Sequence, residues 1–320
     1  MCATAAPHNL VLGIGDDAAA WRPSRSNLSV ITTDALVEDV HFTLAAMSPE
    51  DIGRRALAAN LSDIAAMGAR PVLATIALGV NERSDAAWIR ALYEGMADLA
   101  RRSACALAGG DITRCAAISI AITVVGEVRP SNLKRRSGAR PGDVLAITRP
   151  LGASRAGLRV LTGRPDLAGE AKYADVVRAF RTPEPELAAG RWLGASRNVH
   201  ALMDSSDGLS TDVSRICAAS GVGAVLESIA VDDNARLVAE LFEEDADGYA
   251  LDGGEDFALI AAVSARAFDY LAARFAQRFG RPLLRVGTFT AGTEFRRSDG
   301  SLIIPGGWDH LSSAQRELSR

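Results

Sequence analysis

Acids beside glycine or at the ends of apolar runs recur along this chain often enough to ask for a chemical reason. "GIGDD" carries Asp16 and Asp17, "TTD" ends in Asp34, and "GGD" ends in Asp111. "DSSDG" carries Asp204 and Asp207, and "GGED" carries Glu255 and Asp256. One such turn is ordinary, because Asp, Ser and Gly make solvated turns and helix caps unaided. Five of them, several fed by an apolar strand, are different, since strand ends gather on one side of a sheet and form ligand crevices. Asp63 joins the set. On a helical wheel it falls on the stripe of Ile52, Ala56, Asn60 and Met67, opposite Arg54. A carboxylate on an apolar stripe needs a cation or hydrogen bonds to be tolerated.

Carboxylates, threonine hydroxyls and glycine without a histidine cluster suit hard cations and phosphate. Magnesium takes oxygen ligands and bridges carboxylates to phosphates, and glycine lets backbone N–H groups approach phosphate oxygens closely. Glycoside hydrolysis also uses paired carboxylates, but two would suffice and the glycines would have no role. The pattern reads as a phosphate site held by several Mg2+ ions. The nucleotide design is not the P-loop, because the two lysines, Lys134 and Lys172, do not follow a G-x-x-x-x-G-K loop. The strand lysine and H-R-D loop of protein kinases are missing too.

The elements that would position these acids alternate between strand and helix. A strand over 28–33 ends in Thr32-Thr33-Asp34, and Ser48-Pro49-Glu50-Asp51 starts a helix running to about 68. A strand at 71–80, a helix at 85–102, a turn at Gly109-Gly110-Asp111 and a strand at 116–128 follow. The polar, basic stretch 129–143 reads as a domain boundary. Beyond it come a strand at 144–148, helical patterns at 153–161, 171–180 and 184–197, and an apolar strand from Val199 to Met203. That strand turns at "DSSDG" into a helix with Leu209, Val213, Ile216 and Cys217 on one stripe. Strands at 222–231, 256–263 and 283–290, helices at 233–244 and 265–279, and a hairpin around Ser298-Asp299-Gly300 complete the reading. The expected fold is α/β or α+β in two domains, 1–130 and 143–320.

The totals bound the function classes. With 320 residues, 48% hydrophobic and 23% charged, a large core is available. A net charge of −4 gives no support for nucleic acid or an anionic membrane as partner. No apolar run spans a bilayer. Cys2, Cys105, Cys115 and Cys217 are scattered, which predicts reduced thiols in a cytoplasmic protein. His8, His41, His200 and His310 are equally dispersed and make no zinc site.

At these residues the chain resembles the thiamine-monophosphate kinase family, of the superfamily that also holds aminoimidazole ribonucleotide synthetase and selenophosphate synthetase. The likeness runs from about Gly13 to Leu311 through "GIGDDAA", "TTDALVEDVHF", "ALAANLSDIAAMGARP", "AGGDITR", "RRSGARPGD", "DSSDGLSTD", "GGEDF" and "GGWDH". The resemblance implies a two-domain fold of the aminoimidazole ribonucleotide synthetase type whose N-terminal domains pair in a homodimer. It implies transfer of the ATP γ-phosphate to thiamine monophosphate, giving thiamine diphosphate, with several Mg2+ ions. Position by position, Asp17, Thr32, Thr33, Asp34, Asp63, Asp111, Asp204 and Asp207 match the family's magnesium ligands. Asp34, Asp111 and Asp207 would stand at the chemistry itself. Tyr93, Gly110, Asp111, Arg136 and Ser206 match nucleotide contacts, and His41, Glu255 and Trp308 match substrate contacts. Ser205, Asp252, Phe257 and Ala258 depart from the family's habits, two of them on the substrate side. Two other readings stay open on this fold: a sibling ATP-dependent synthetase, and a non-catalytic maturation factor that binds nucleotide.

Overall fold

The computed structural model describes residues 9–14 and 18–307, so Asp16, Asp17 and Trp308 lie outside the described residues. A short antiparallel pair, β1 (Leu10–Leu12) and β2 (Ala20–Trp21), precedes the first sheet. That sheet uses β3 (Leu28–Val37), β4 (Arg70–Val80), β5 (Ala106–Arg114) and β6 (Ser119–Val128) in the order β3-β6-β4-β5. Helices α1 (Pro49–Ala66) and α2 (Ala86–Ser103) cover one face. Residues 129–143 then lead to a six-stranded sheet. Its strands are β7 (Val144–Ile147), β8 (Val199–Asp204), β9 (Gly223–Leu226), β10 (Leu259–Val263), β11 (Leu284–Thr290) and β12 (Phe295–Arg297), ordered β12-β9-β11-β7-β10-β8. All its pairs are antiparallel except β12 with β9. The helices of this half are α3 (Ala153–Gly163), α4 (Ala174–Arg181), α5 (Leu187–Gly194), α6 (Leu209–Ser220), α7 (Asp233–Leu241), α8 (Ala246–Leu251) and α9 (Ala265–Phe279).

Local chemistry sets the element ends. Ser48 and Asp51 form a reciprocal capping box with Pro49 in the first turn, so α1 starts where expected. Asp85 caps α2 by accepting from the Trp88 N–H at 2.7 Å. α1 is buried on nearly all sides, because β3 and β6 lie on one flank and α5 and β8 on the other. One continuous apolar core therefore includes Leu57 and Ile64 of α1, Ile122 of β6, and Met203 and Ile260 of the second sheet. Gly190 of α5 makes this contact possible, since a Cβ there would stand 2.2 Å from the Ala65 carbonyl oxygen.

Several expectations change. β3 does not end at Asp34 but runs to Val37, paired throughout with β6. Gly109-Gly110-Asp111 is not a turn but part of β5, which pairs in parallel with β4 through a bulge. The strand expected over 222–231 is Gly223–Leu226 alone, and α8, capped by Asp245, is an addition to the expected elements. Cys105, Cys115 and Cys217 are free thiols. Among the described residues no helix is long and apolar enough to cross a membrane.

Candidate active site

Four chain segments from both halves converge on one cluster of carboxylates. On β3, alternation turns Val30, Thr32, Asp34 and Leu36 toward the helices while Ser29, Ile31, Thr33 and Ala35 are exposed on the open face. Thr32 thereby meets α1, and its Oγ1 donates to the Asp63 carboxylate at 2.5 Å. On the other flank of α1, the Ser62 hydroxyl donates to Asp204 at 2.7 Å, at the end of β8. Asp207 follows in the loop that opens α6. Adjacent residues of one helix thus hold an N-terminal strand and a C-terminal strand end.

The electrostatics show how close these acids stand. Burial, then the charges of Asp63 and Asp207, push Asp34 up from 3.8 to about 6. Asp63 is also raised by burial, opposed by the Thr32 hydrogen bond and by Arg136 from the connecting stretch. Asp204 is raised by burial and by Asp63, and the Ser62 hydroxyl opposes the shift. Asp212, on the first turn of α6, is pushed to about 6 by burial and Asp207. Asp34, Asp63, Asp204, Asp207 and Asp212 are therefore one set of mutually repelling groups.

The loop that presents Asp207 is shaped by Asp212, which the motif reading did not assign. Its Oδ2 accepts the backbone N–H groups of Ser206 at 3.0 Å and Asp207 at 3.1 Å, and its Oδ1 accepts from Arg215 at 2.9 Å. Arg215 also pairs with Asp207. The loop's own spacing, D-S-S-D-G-x-x-x-D, carried this signal, because an Asp in the first helical turn often bonds the preceding N–H groups. Gly208 has φ 106°, and a Cβ there would sit 2.7 Å from the Leu251 carbonyl oxygen. Only glycine fits.

The "GGED" segment zips onto the same loop. Glu255 N–H donates to Ser206 O at 2.8 Å and Phe257 N–H to Ser205 O at 2.9 Å. Glu255 and Phe257 both hold left-handed backbone, φ 65° and 50°, a conformation that persists only when its surroundings fix it. What fixes Glu255 is Arg55 of α1. That guanidinium is 1% exposed, pairs with the Glu255 carboxylate, donates to the Phe180 carbonyl and lies 4.2 Å over the Phe180 ring. Burial lowers Arg55 to about 9, so it stays charged at neutral pH. Sequence reading misses Arg55 because it sits among residues that look like a solvated helix face. Asp256 acts on a different element, since its carboxylate accepts from the N–H groups of Gly152 and Ser154 and caps α3.

The other sequence-derived residues fall elsewhere. Thr33 is on the open face, donating to Ile122 O and accepting from Thr123, both at 3.1 Å. Gly110 and Asp111 lie on edge strand β5, three strands from β3 and so about 14 Å away at the usual strand spacing. Gly110 has φ 156° and a Cβ there would meet Ile76 O at 1.9 Å, so β5 lies against β4 only with glycine. His41 Nδ1 accepts the Val37 N–H at 3.1 Å, which leaves Nε2 to carry the neutral ring's proton. Tyr93 on α2 packs against the core, and burial raises its phenol.

The donor set fits magnesium in its chemistry: oxygen atoms from Thr32, Asp34, Asp63, Asp204 and Asp207, with neither sulfur nor imidazole among them. Among the described residues no three His, Cys, Asp or Glu side chains already converge on one ion position. Magnesium takes one or two protein carboxylates and completes its shell from phosphate and water.

Comparison with known proteins decides the family. Residues 15–128 match the model for "AIR synthase related protein, N-terminal domain". A thiamine-monophosphate kinase of Synechococcus elongatus is 38% identical over 78% of this chain and 76% of its own length. The chain belongs to the thiamine-monophosphate kinase family. The structure of this family's member from Stenotrophomonas maltophilia K279a superposes with a TM-score of 0.84 at 34% identity, covering 92% of each chain. A second kinase structure, "AaThiL complexed with AMPPCP and TMP", gives a TM-score of 0.80 at 28% identity over 93% of this chain and 92% of its own.

Proposed function

We propose that this chain phosphorylates thiamine monophosphate with ATP, in the last step that makes thiamine diphosphate. The carrying observation is the set of four carboxylates, Asp34, Asp63, Asp204 and Asp207, placed by four segments so that their charges repel. Such a set is costly unless cations resolve it. Thr32, Asp34, Asp63, Asp204 and Asp207 would hold magnesium, with Asp17, Thr33 and Asp111 as the further ligands the family pattern implies. Bound there, magnesium would neutralise charge on the nucleotide phosphates and orient them.

The chain's own residues then have distinct roles. Arg136, beside Asp63, and the Ser206 loop would take the nucleotide, joined by Gly110, Asp111 and Tyr93. His41, Glu255 and Trp308 would take thiamine monophosphate. The acceptor is already an ionised phosphate at neutral pH, so no strong base is needed. A phosphate oxygen of thiamine monophosphate attacks the γ-phosphorus in line; the new P–O bond forms as the β,γ-bridging P–O bond breaks, and ADP leaves with the electron pair. Catalysis is positioning and charge neutralisation.

We also propose a cytoplasmic homodimer of two-domain subunits, 1–130 and 143–320. The open face of the first sheet supports pairing: Ile31 is 71% exposed, on the same face as the exposed small residues Thr33, Ala35 and Ala77. Steady-state assays with ATP, thiamine monophosphate and Mg2+ test the reading, with complete loss of turnover expected in EDTA. A chiral γ-phosphate should be inverted; net retention or a trapped phosphoenzyme would refute direct transfer, and no turnover with Mg2+ present would refute the assignment.

A further inference from the structure

At the end of the first sheet away from Asp34, a cavity of about 570 Å3 opens between the two halves of the chain. Arg70 starts β4 and Arg129 follows β6, while Arg191 and Trp192 project from α5 and Arg278 and Phe279 from the last turn of α9. Asn27, also in the wall, adjoins Leu28, which is six strand residues from Asp34 and so about 20 Å from the carboxylate cluster.

The charge there runs against the whole chain, whose net charge is −4. The cavity has four arginines and one carboxylate, Glu127. Glu127 is 2% exposed and already committed: it accepts from Arg70 at 2.8 Å, the Ser24 N–H at 3.1 Å and Asn27 at 3.3 Å. Among the described residues no carboxylate is ion-paired with Arg129, Arg191 or Arg278. A place near a helix C-terminus accounts for Arg191 and Arg278 singly. It does not account for Arg129, nor for three uncompensated guanidinium groups converging from separate elements on one concavity.

Guanidinium groups match phosphate in charge and in fork geometry. The remaining wall is aromatic and held in place: Trp192 meets Phe275 and Phe279 edge to face, with centroids 5.8 and 6.1 Å apart, and Trp192 and Phe279 are half-buried. The volume falls within the range of small-molecule sites, about 300–1,000 Å3. We propose that this cavity binds a phosphorylated small molecule carrying a flat ring, at a site separate from the carboxylate cluster. The ligand's phosphates face Arg129, Arg191 and Arg278, and its ring lies against Trp192 and Phe279. It touches both halves of the chain.

ADP is the probe, titrated calorimetrically into the full chain in EDTA, where the clustered carboxylates repel nucleotide. Saturable binding is expected, weakened at least tenfold in Arg191→Ser/Arg278→Ser and in Arg129→Ser, whose melting temperatures should match wild type. Pyrophosphate should bind more weakly than ADP, and Trp192→Phe should lose the fluorescence quench that ADP produces. Unchanged isotherms in the arginine variants would overturn the proposal. So would ADP binding that responds to Asp34→Asn instead, or preference of these arginines for a single-stranded oligonucleotide over ADP.

Discussion

Replacing Asp34 by Asn should make the metal-free protein more stable while it destroys turnover. The folded carboxyl titrates at about 6 against 3.8 ordinarily, and at about 1.36 kcal/mol for each pH unit that difference is about 3 kcal/mol. The sign follows from proton counting. The folded state holds the proton more tightly, so wild-type stability rises as pH falls from about 7 toward 4. The cost is present in full only above about pH 6. Among the described residues no hydrogen bond reaches the Asp34 carboxylate, so the amide forfeits none. Urea unfolding in EDTA at pH 8 should therefore favour Asp34→Asn by up to about 3 kcal/mol, and the gap should shrink to about 1 kcal/mol at pH 4.5 and close only below about pH 3.8. Saturating Mg2+ should stabilise wild type far more than the variant, and kcat should fall at least about a hundredfold. A variant no more stable than wild type at pH 8, or a gain that ignores pH, would refute the view that this carboxylate is held in place against repulsion.

Arg55→Ala should raise KM for thiamine monophosphate more than it lowers kcat, with Arg55→Lys restoring part of the loss, and should cost about 3–5 kcal/mol in unfolding as a broken buried ion pair. Ser205, whose buried hydroxyl has no partner among the described residues, should gain about 1 kcal/mol as Ser205→Ala, read as a higher urea midpoint. Light scattering should give a dimer at micromolar concentration. Asp111→Asn should cut kcat at least about a hundredfold. Mixing it with Asp34→Asn should restore about a quarter of wild-type activity if two copies share one site, since half the dimers then carry one intact site of two.

Much of the fold is legible from local signals, and what escapes them shares one cause. The capping box at Ser48, the Asp85 cap and the apolar periods of α1, α2 and α9 are written in contiguous residues, so their bounds can be read directly. Gly109-Gly110-Asp111 looks like a turn because its residues favour turns, yet β5 is held by pairing with β4, a partner more than thirty residues away in sequence. Asp63 stands out because a carboxylate on an apolar stripe needs a reason. Arg55 does not, although it is the more deeply buried, because an arginine on a helix is ordinarily solvated. Its partners, Phe180 and Glu255, come from the other half of the chain.

The carboxylates and the edge strands together explain why the site has to span so much of the molecule. Four aspartates that repel one another cannot be brought together by a single loop without that loop moving away; here each is anchored separately, on β3, on α1, at the end of β8 and in the loop fixed by Asp212. α1 is the shared anchor: Asp63 meets Thr32, Ser62 meets Asp204 and Arg55 meets Glu255. A shift of that helix would disturb the carboxylate cluster and the Glu255 segment at once, and under the proposed roles it would couple metal binding to substrate binding through one rigid element. Asp111 is the exception, on the far edge strand about 14 Å away. If it acts on the same phosphates as Asp34, the connection has to run through a second copy that sets one subunit's β5 edge near the other's β3 edge. The exposed open face with Ile31 at 71% is the surface on which such a copy would pack.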